Sequence, residues 1–150
     1  MNLQNIGVIG AGTMGNGIAQ VCALAGFNVT LIDISESALQ KAIATVDKNL
    51  DRQIAKDTLT LEQKLAALDK IRTSTDYSSL LNAQLVIEAA TENLDLKLRV
   101  LQQIAAQVSA ECVIASNTSS LSITQLAASV SRPERFIGLH FFNPVPVMGL

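Results

Sequence analysis

The feature that most constrains the fold is a glycine-rich stretch near the beginning of the chain, residues 6–17, which reads IGVIGAGTMGNG. The apolar run of residues 6–9 leads directly into the pattern Gly10-x-Gly12-x-x-Gly15. Apolar residues then recur at helical spacing, so the glycines lie where a strand passes into a helix. There Gly10 permits a tight turn, Gly12 lets a phosphate group approach the backbone, and Gly15 lets the helix pack closely on the strand.

A second marker follows the next apolar run, residues 29–32, which ends at Asp33. An acid at this distance after the glycines accepts hydrogen bonds from adenosine ribose hydroxyls and repels a 2′-phosphate. No Lys or Arg occurs after Asp33 before Lys41. The pair of markers therefore predicts an NAD site, rather than an NADP site or a glycine-rich turn in an unrelated α/β protein.

Composition excludes several classes of protein. The chain has 150 residues, of which 49% are hydrophobic and 16% charged, as expected of one domain with a buried core. The net charge of −2 and the scattered Lys and Arg residues argue against a nucleic-acid partner. The sequence contains neither an apolar stretch of membrane-spanning length nor a signal-peptide pattern, so we expect a cytoplasmic protein with no membrane partner. Cys22, Cys112 and a single His suggest buried thiols rather than a disulfide, and no metal site.

Strand and helix patterns alternate along the rest of the chain. A helix over residues 36–55 and a shorter one starting at the capping box Thr60-x-x-Gln63, with Leu61, Leu65 and Leu68 directed inward, form a helical hairpin inserted after the second strand. A further helix covers residues 94–108. Predicted strands with crossover helices indicate an α/β fold, a doubly wound (Rossmann), mostly parallel sheet. The six predicted strands are residues 6–9, 29–32, 71–73, 85–88, 112–115 and 136–140.

Polar residues occur where these predicted strands end, and ligands of such sheets bind outside the carboxyl ends of the strands. Asp33 and Glu88 end the second and fourth strands, residues 116–120 follow the fifth, and His140 ends the sixth. This convergence predicts an active site rather than a passive nucleotide pocket. His140 has an unperturbed pKa near neutrality and suits a general base in alcohol oxidation, the alternative being a histidine satisfied in the core.

Two further groups of charged residues have both a functional and a structural interpretation. Lys48, Arg52 and Lys56 share one face of the hairpin, where they could bind a phosphate-bearing substrate or form a solvated basic stripe. Glu92 and Lys97 lie near the start of the helix after the fourth strand, where the simpler interpretation is a surface ion pair.

Four segments resemble the 3-hydroxyacyl-CoA dehydrogenases, including the bacterial 3-hydroxybutyryl-CoA dehydrogenases: IGAGTMGNGIAQ, EAATENLDLK, ASNTSSLSI and GLHFFNPVPVM. They occur in the family's order over essentially the whole chain. The resemblance implies NAD-dependent oxidation of an L-3-hydroxyacyl-CoA, with a short acyl chain, to the 3-ketoacyl-CoA. It also implies that residues 1–150 form the NAD-binding domain.

The resemblance implies a role for each matching residue. His140 resembles the catalytic base, and Ser119 resembles the serine that contacts both cofactor and substrate. Lys56 matches a lysine that binds coenzyme A, and Asn49 stands where a relative has serine at a second such position. The residues that match the family's NAD contacts are Gly10, Ala11, Gly12, Thr13, Met14, Gly15, Asp33, Glu92, Lys97, Ser119 and Asn143.

One departure from the family affects the expected activity. In the family the histidine works with a glutamate that orients the imidazole, and this sequence stops at Leu150, just before that position and before the helical second domain. We therefore expect the NAD-binding domain of a longer, homo-oligomeric enzyme, which binds NAD with little turnover by itself. The alternatives are another β-hydroxyacid dehydrogenase and a non-catalytic NAD-binding module.

Overall fold

The structure is a computed structural model that describes residues 3–91, 93–117, 126–127 and 133–139. In these residues the strands are β1 (Asn5–Ile9), β2 (Asn28–Ile32), β3 (Ile71–Ser74), β4 (Leu85–Glu88), β5 (Val113–Asn117) and β6 (Phe136–Leu139). The α-helices are α1 (Thr13–Leu24), α2 (Glu36–Ala55), α3 (Leu61–Lys70) and α4 (Leu94–Gln107). Short 3-10 turns occupy Tyr77–Leu80 and Pro133–Arg135.

The six strands form one sheet in the order β3-β2-β1-β4-β5-β6, and every neighbouring pair is parallel. This order confirms the predicted doubly wound sheet. Successive strands proceed outward from β1 to β3, and then the chain crosses back to place β4 on the other side of β1. At such a reversal the loops on either side of β1 separate and leave a crevice at the carboxyl ends of the strands.

Alternate side chains of the central strands pack on opposite faces of the sheet, as the pleat of a strand requires. Val8 and Leu31 belong to the core shared with α1 and α2, whereas their neighbours Ile9 and Ile32 belong to the core shared with α4. Both faces are therefore covered, which explains the continuous apolar runs of β1 and β2.

The inserted hairpin is confirmed. The hydroxyl of Ser35 accepts a hydrogen bond from the N–H of Ala38 at the start of α2. Asp57, in the left-handed region at φ 60, follows the end of this helix. Thr60 and Gln63 form the predicted capping box of α3.

The predicted inward face of α3 is confirmed at Leu68, which packs against the core that α1 and α2 share, and wrong at Leu61 and Leu65. Leu61 and Leu65 are 58% and 57% exposed, and the buried residue of this helix is Ala67. The side of α3 that packs inward carries Ala67 and Leu68. Lys64, whose side chain is only 12% exposed, faces α2 and forms ion pairs there, at 2.9 Å to Asp47 and 2.6 Å to Asp51.

Strand β5 extends further than predicted, so that Ser116 and Asn117 belong to the strand rather than to the loop after it. The register explains the extension, because Ser116 pairs with Glu88 of β4 and Asn117 pairs with Leu139 of β6. Strand β6 ends at Leu139, and His140 lies outside the described residues. Residues 126–127 are helical.

Both cysteines are buried and free, as predicted. Burial disfavours the charged thiolate and raises the pKa of Cys22 and of Cys112 to about 11. In the part of the chain that the structure describes, no helix combines the length and the apolar character needed to cross a membrane.

Candidate functional site

The glycine turn between β1 and α1 is held against the loop that follows β4. Gly10 has φ 102, in the left-handed region, and its N–H donates to the carbonyl of Ile32 at 2.7 Å. A Cβ at this position would lie 2.7 Å from the Cα of Ala90. The N–H of Ala89 also donates to the carbonyl of Ile9 at 2.8 Å. Both the backbone conformation and the adjacent backbone of Ala89 and Ala90, called the β4 wall below, therefore require glycine at position 10.

The other two glycines of the motif meet opposite surroundings. A Cβ on Gly15 would overlap the carbonyl oxygen of Gly10, so α1 can approach the turn only because this residue has no side chain. A Cβ on Gly12 would meet no atom of the described residues within 4 Å. The motif thus closes the turn on one side and leaves an open surface at the start of α1.

The N-terminus of α1 opens onto this surface. Gly12 is the N-cap residue, and none of the described side chains caps the helix or places an acid in its first turn. The first N–H groups of a helix and its dipole attract anions. A helix start that no described side chain caps, at a glycine with space for a ligand, therefore fits the pyrophosphate of a dinucleotide.

Asp33, directly after β2, binds the glycine turn from the other side. Its Oδ2 accepts from the N–H of Ala11 at 2.9 Å, and its Oδ1 accepts from the N–H of Ser35 at 2.9 Å. Each carboxylate oxygen has a second acceptor direction, which remains available to a ribose hydroxyl. The structure thus adds to the predicted ribose contact a bracing role that sequence reasoning missed.

Two more residues near Asp33 were not singled out from the sequence. Ile34 is 87% exposed although it is apolar, and an exposed apolar side chain beside a ribose-binding acid suits contact with an adenine ring. Tyr77 is half-buried, and burial first, followed by the charges of Asp33 and Glu88, raises the pKa of its phenol. Ile34 could have been identified from the sequence, because an apolar residue directly follows the acid. No sequence pattern indicates that Tyr77 lies near the site.

A buried polar network lies at the carboxyl ends of β4 and β5. The Nζ of Lys97 is 2.6 Å from Oε1 of Glu88 and donates to Oγ of Ser116 at 3.3 Å. Ser116 in turn donates to Oε1 of Glu88 at 2.7 Å, and the N–H of Ala90 donates to Oε2 at 2.8 Å. Lys97, Glu88 and Ser116 are each 0% exposed. The surface ion pair considered for Lys97 is therefore wrong, because its partner is Glu88 in the interior.

The structure brings the glycine turn, Asp33 and the Lys97 network together along one edge of the sheet. Lys56 is exposed at the end of α2, and Asn49 of the same helix donates to Oε1 of Gln20 in α1 at 3.3 Å. The predicted site residues that lie outside the described residues are Glu92, Ser119, His140 and Asn143.

Comparison with known proteins agrees with this geometry. The sequence model of the family "3-hydroxyacyl-CoA dehydrogenase, NAD binding domain" matches residues 5–150. A 3-hydroxybutyryl-CoA dehydrogenase from Bradyrhizobium diazoefficiens is 49% identical over 148 residues, which cover 99% of this chain and 50% of the relative. A 3-hydroxyadipyl-CoA dehydrogenase from Escherichia coli is 45% identical and covers 100% of this chain and 32% of the relative.

Solved structures show the same similarity in three dimensions. The (S)-3-hydroxybutyryl-CoA dehydrogenase from Ralstonia eutropha superposes with a TM-score of 0.97 at 57% identity, over 99% of this chain and 53% of the other. The chain spans half or less of the length of the Bradyrhizobium diazoefficiens and Escherichia coli relatives. With the match extending over residues 5–150, the chain belongs to the 3-hydroxyacyl-CoA dehydrogenase family and corresponds to its NAD-binding domain.

Proposed function

We propose that the protein acts in the NAD-dependent oxidation of a short-chain L-3-hydroxyacyl-CoA, such as 3-hydroxybutyryl-CoA, to the 3-ketoacyl-CoA. The observation that carries the proposal is the open glycine turn, with Asp33 beside it, in a chain that matches this family over residues 5–150. Two of the similar proteins act, by their names, on 3-hydroxybutyryl-CoA, which favours a short acyl chain.

The cofactor is held by groups at the start of α1 and the end of β2. The N–H groups and the dipole of α1 face the pyrophosphate, since Gly12 leaves that approach open. The carboxylate of Asp33 binds the adenosine ribose and repels a 2′-phosphate, which selects NAD over NADP. When bound, NAD supplies the hydride acceptor of the reaction.

His140 is the proposed general base. In the oxidation, the hydroxyl-bearing carbon loses a hydride while its hydroxyl proton passes to the imidazole, so a carbonyl forms and charge balances. The position of His140 directly after β6 (Phe136–Leu139) supports this role, because the carboxyl ends of parallel strands share one edge. Ser119, shortly after β5, is proposed to bind the substrate oxygen, with Glu92, Lys97 and Asn143 as further cofactor contacts.

Lys56 is the proposed coenzyme A contact on the hairpin. It is exposed at the end of α2, where Lys48 and Arg52 are exposed as well. Three cations on one helix face attract the phosphates of coenzyme A. Asn49 is the less accessible candidate, because it is half-buried and already donates to Gln20.

We also propose a cytoplasmic location, which the two free, buried cysteines favour because reducing compartments keep thiols unpaired. The resemblance to the family supports a homo-oligomer. The proposed partner is an acyl-CoA, and neither nucleic acid nor a membrane is proposed.

Calorimetric titration of the chain with NADH, NADPH and acetoacetyl-CoA tests the proposal. We expect NADH to bind at least about tenfold more tightly than NADPH, a difference of about 1.4 kcal/mol. Asp33→Ala should abolish this preference, whereas Asp69→Ala, which removes an exposed acid of α3, should preserve it. Equal affinity for the two dinucleotides, or no dinucleotide binding by folded protein, contradicts the cofactor assignment.

The substrate class is tested separately in the presence of NADH. Acetoacetyl-CoA should bind more tightly than acetoacetate. Lys56→Ala should lower the affinity for acetoacetyl-CoA without changing the affinity for NADH. Lys41→Ala removes another exposed cation of α2 and serves as the control. Equal binding of acetoacetate and acetoacetyl-CoA would favour a dehydrogenase of free hydroxyacids.

A further inference from the structure

The Glu88–Lys97–Ser116 network joins three elements that are distant in sequence. Glu88 is the last residue of β4, Lys97 lies in the first half of α4, and Ser116 lies near the carboxyl end of β5. Oε1 of Glu88 accepts from both Lys97, at 2.6 Å, and Ser116, at 2.7 Å. The network therefore fixes how the loops that leave β4 and β5 are spaced at the edge where ligands bind.

The second oxygen of Glu88 extends the network to the glycine turn. Oε2 accepts from the N–H of Ala90 at 2.8 Å. The Cα of Ala90 lies where a Cβ on Gly10 would collide with it. Glu88 thus sets the position of the wall that presses on the turn from the β4 side, while Asp33 holds Ala11 from the β2 side.

The topology assigns this wall to one half of the cofactor. A doubly wound sheet binds one mononucleotide on each side of the reversal point. Asp33 at the end of β2 directs adenosine to the β1–β3 half, so the nicotinamide mononucleotide falls on the β4–β6 half. The buried network belongs to the nicotinamide half.

The cost of burying these charges argues for a purpose beyond packing. Removing an ion pair from water is expensive, and apolar residues of similar volume often stabilise a core at least as well. The ion pairs of Lys64 are different, because the side chains of Asp47 and Asp51 are 49% and 58% exposed. Only the pair at the cofactor edge is completely buried among the described ion pairs.

We propose that Glu88 and Ser116 are positioning residues for the nicotinamide half of NAD. They orient Lys97 and hold the β4 wall against the glycine turn, and neither needs to contact the cofactor itself. This inference rests on the NAD binding of the proposed function but does not depend on the acyl-CoA substrate.

The test compares affinities for NADH and ADP in calorimetric titrations of Glu88→Gln and Ser116→Ala. ADP carries the adenosine and pyrophosphate groups without the nicotinamide. We expect Glu88→Gln to lower the affinity for NADH about tenfold and Ser116→Ala to lower it about threefold. These changes lie in the range typical of coupling within one hydrogen-bonded network. The affinity for ADP should stay within about twofold for both variants.

The ratio of the two affinities separates positioning from general destabilisation. If the affinities for NADH and ADP fall together, or if neither affinity changes, the inference is wrong. If Glu88→Gln does not fold, Ser116→Ala decides, because it removes one hydrogen bond and no charge. If the unsubstituted chain binds ADP but not NADH, or binds neither, the cofactor assignment fails and this inference fails with it.

Asp51→Asn is the matched control, because it removes one carboxylate from the ion pairs of Lys64 on the hairpin. It should leave both affinities unchanged. A loss of NADH affinity in this control equal to that of Glu88→Gln would show that any ion pair of the domain has the same influence, which also overturns the inference.

Discussion

The N-terminus of α1 differs from those of the other three helices described here. Each of those three begins with a side chain that accepts a backbone hydrogen bond and has an acid in its first turn. Helix α1 begins at Gly12, and among the described side chains it has neither. The caps are Ser35, Thr60 and Asn93, and the acids are Glu36, Glu62 and Asp95.

The difference shows where the chain leaves an electrostatic requirement to be met by a ligand. A side-chain cap contributes about 1 kcal/mol and an acid in the first turn about 0.3–1 kcal/mol. The chain uses both devices at α2, α3 and α4. At α1 it leaves them out, and the unsatisfied N–H groups remain available to a pyrophosphate.

The largest expected effect is that of closing the space between α1 and the turn. Gly15→Ala places a methyl group on the carbonyl oxygen of Gly10, which is backbone and cannot yield as a side chain would. We expect a loss of about 3 kcal/mol or more in the free energy of unfolding, measured by urea denaturation. Gly12→Ala is the control, because its methyl group enters open space, and a variant Gly15→Ala as stable as this control would contradict the packing argument.

The second prediction gives α1 the kind of start that the other helices have. Gly12→Asp should raise the free energy of unfolding by about 0.5 kcal/mol, through a cap and a favourable charge. The same carboxylate repels the pyrophosphate, so NADH affinity should fall by at least about a hundredfold. Gly12→Asn supplies a cap without the charge and should lose less affinity. Undiminished NADH binding by Gly12→Asp would show that the phosphates lie elsewhere.

The third prediction concerns the brace between β2 and the start of α1. Asp33→Ala removes the hydrogen bonds to Ala11 and Ser35 and should lower the free energy of unfolding of the ligand-free chain by about 2 kcal/mol. Asp33→Asn keeps one acceptor oxygen, so the free energy of unfolding should fall by about half as much. Thermal unfolding without cofactor measures both, and an Asp33→Ala variant as stable as the parent would restrict Asp33 to ligand binding.

The smallest effect is expected at a capped helix. Thr60→Ala removes the capping box of α3 and should cost about 1 kcal/mol in the free energy of unfolding. NADH affinity should not change, since this cap serves only the fold. A change in NADH affinity comparable to that of Gly12→Asn would remove the distinction between the two kinds of helix start.

Much of the fold could be predicted because its signals are local. The capping box at Thr60 acts within one helical turn, and it was identified from sequence. The apolar run of β4 was long enough to locate its ends, so Glu88 was correctly placed at the last position. The extension of β5 to Asn117 was missed because polar residues carry no strand signal of their own, and pairing with β4 and β6 decides their conformation.

Side-chain partners across elements could not be predicted in the same way. A leucine pattern on α3 indicated an inward face of Leu61, Leu65 and Leu68, but Leu68 alone of these packs against the core, and Lys64 forms ion pairs with α2 instead. For Lys97 the simpler interpretation was a surface ion pair, because nothing in its own segment reveals a carboxylate contributed by β4.

By itself the sequence determined the alternation of strands and helices, the glycine turn and the acid after β2, because each depends on the chemistry of a few consecutive residues. Only the tertiary structure decided that Asp33 braces Ala11 and that Glu88, Lys97 and Ser116 form one buried network. These contacts join residues from separate elements, and they exist only because the sheet order brings the carboxyl ends of β1, β2, β4 and β5 to the same edge.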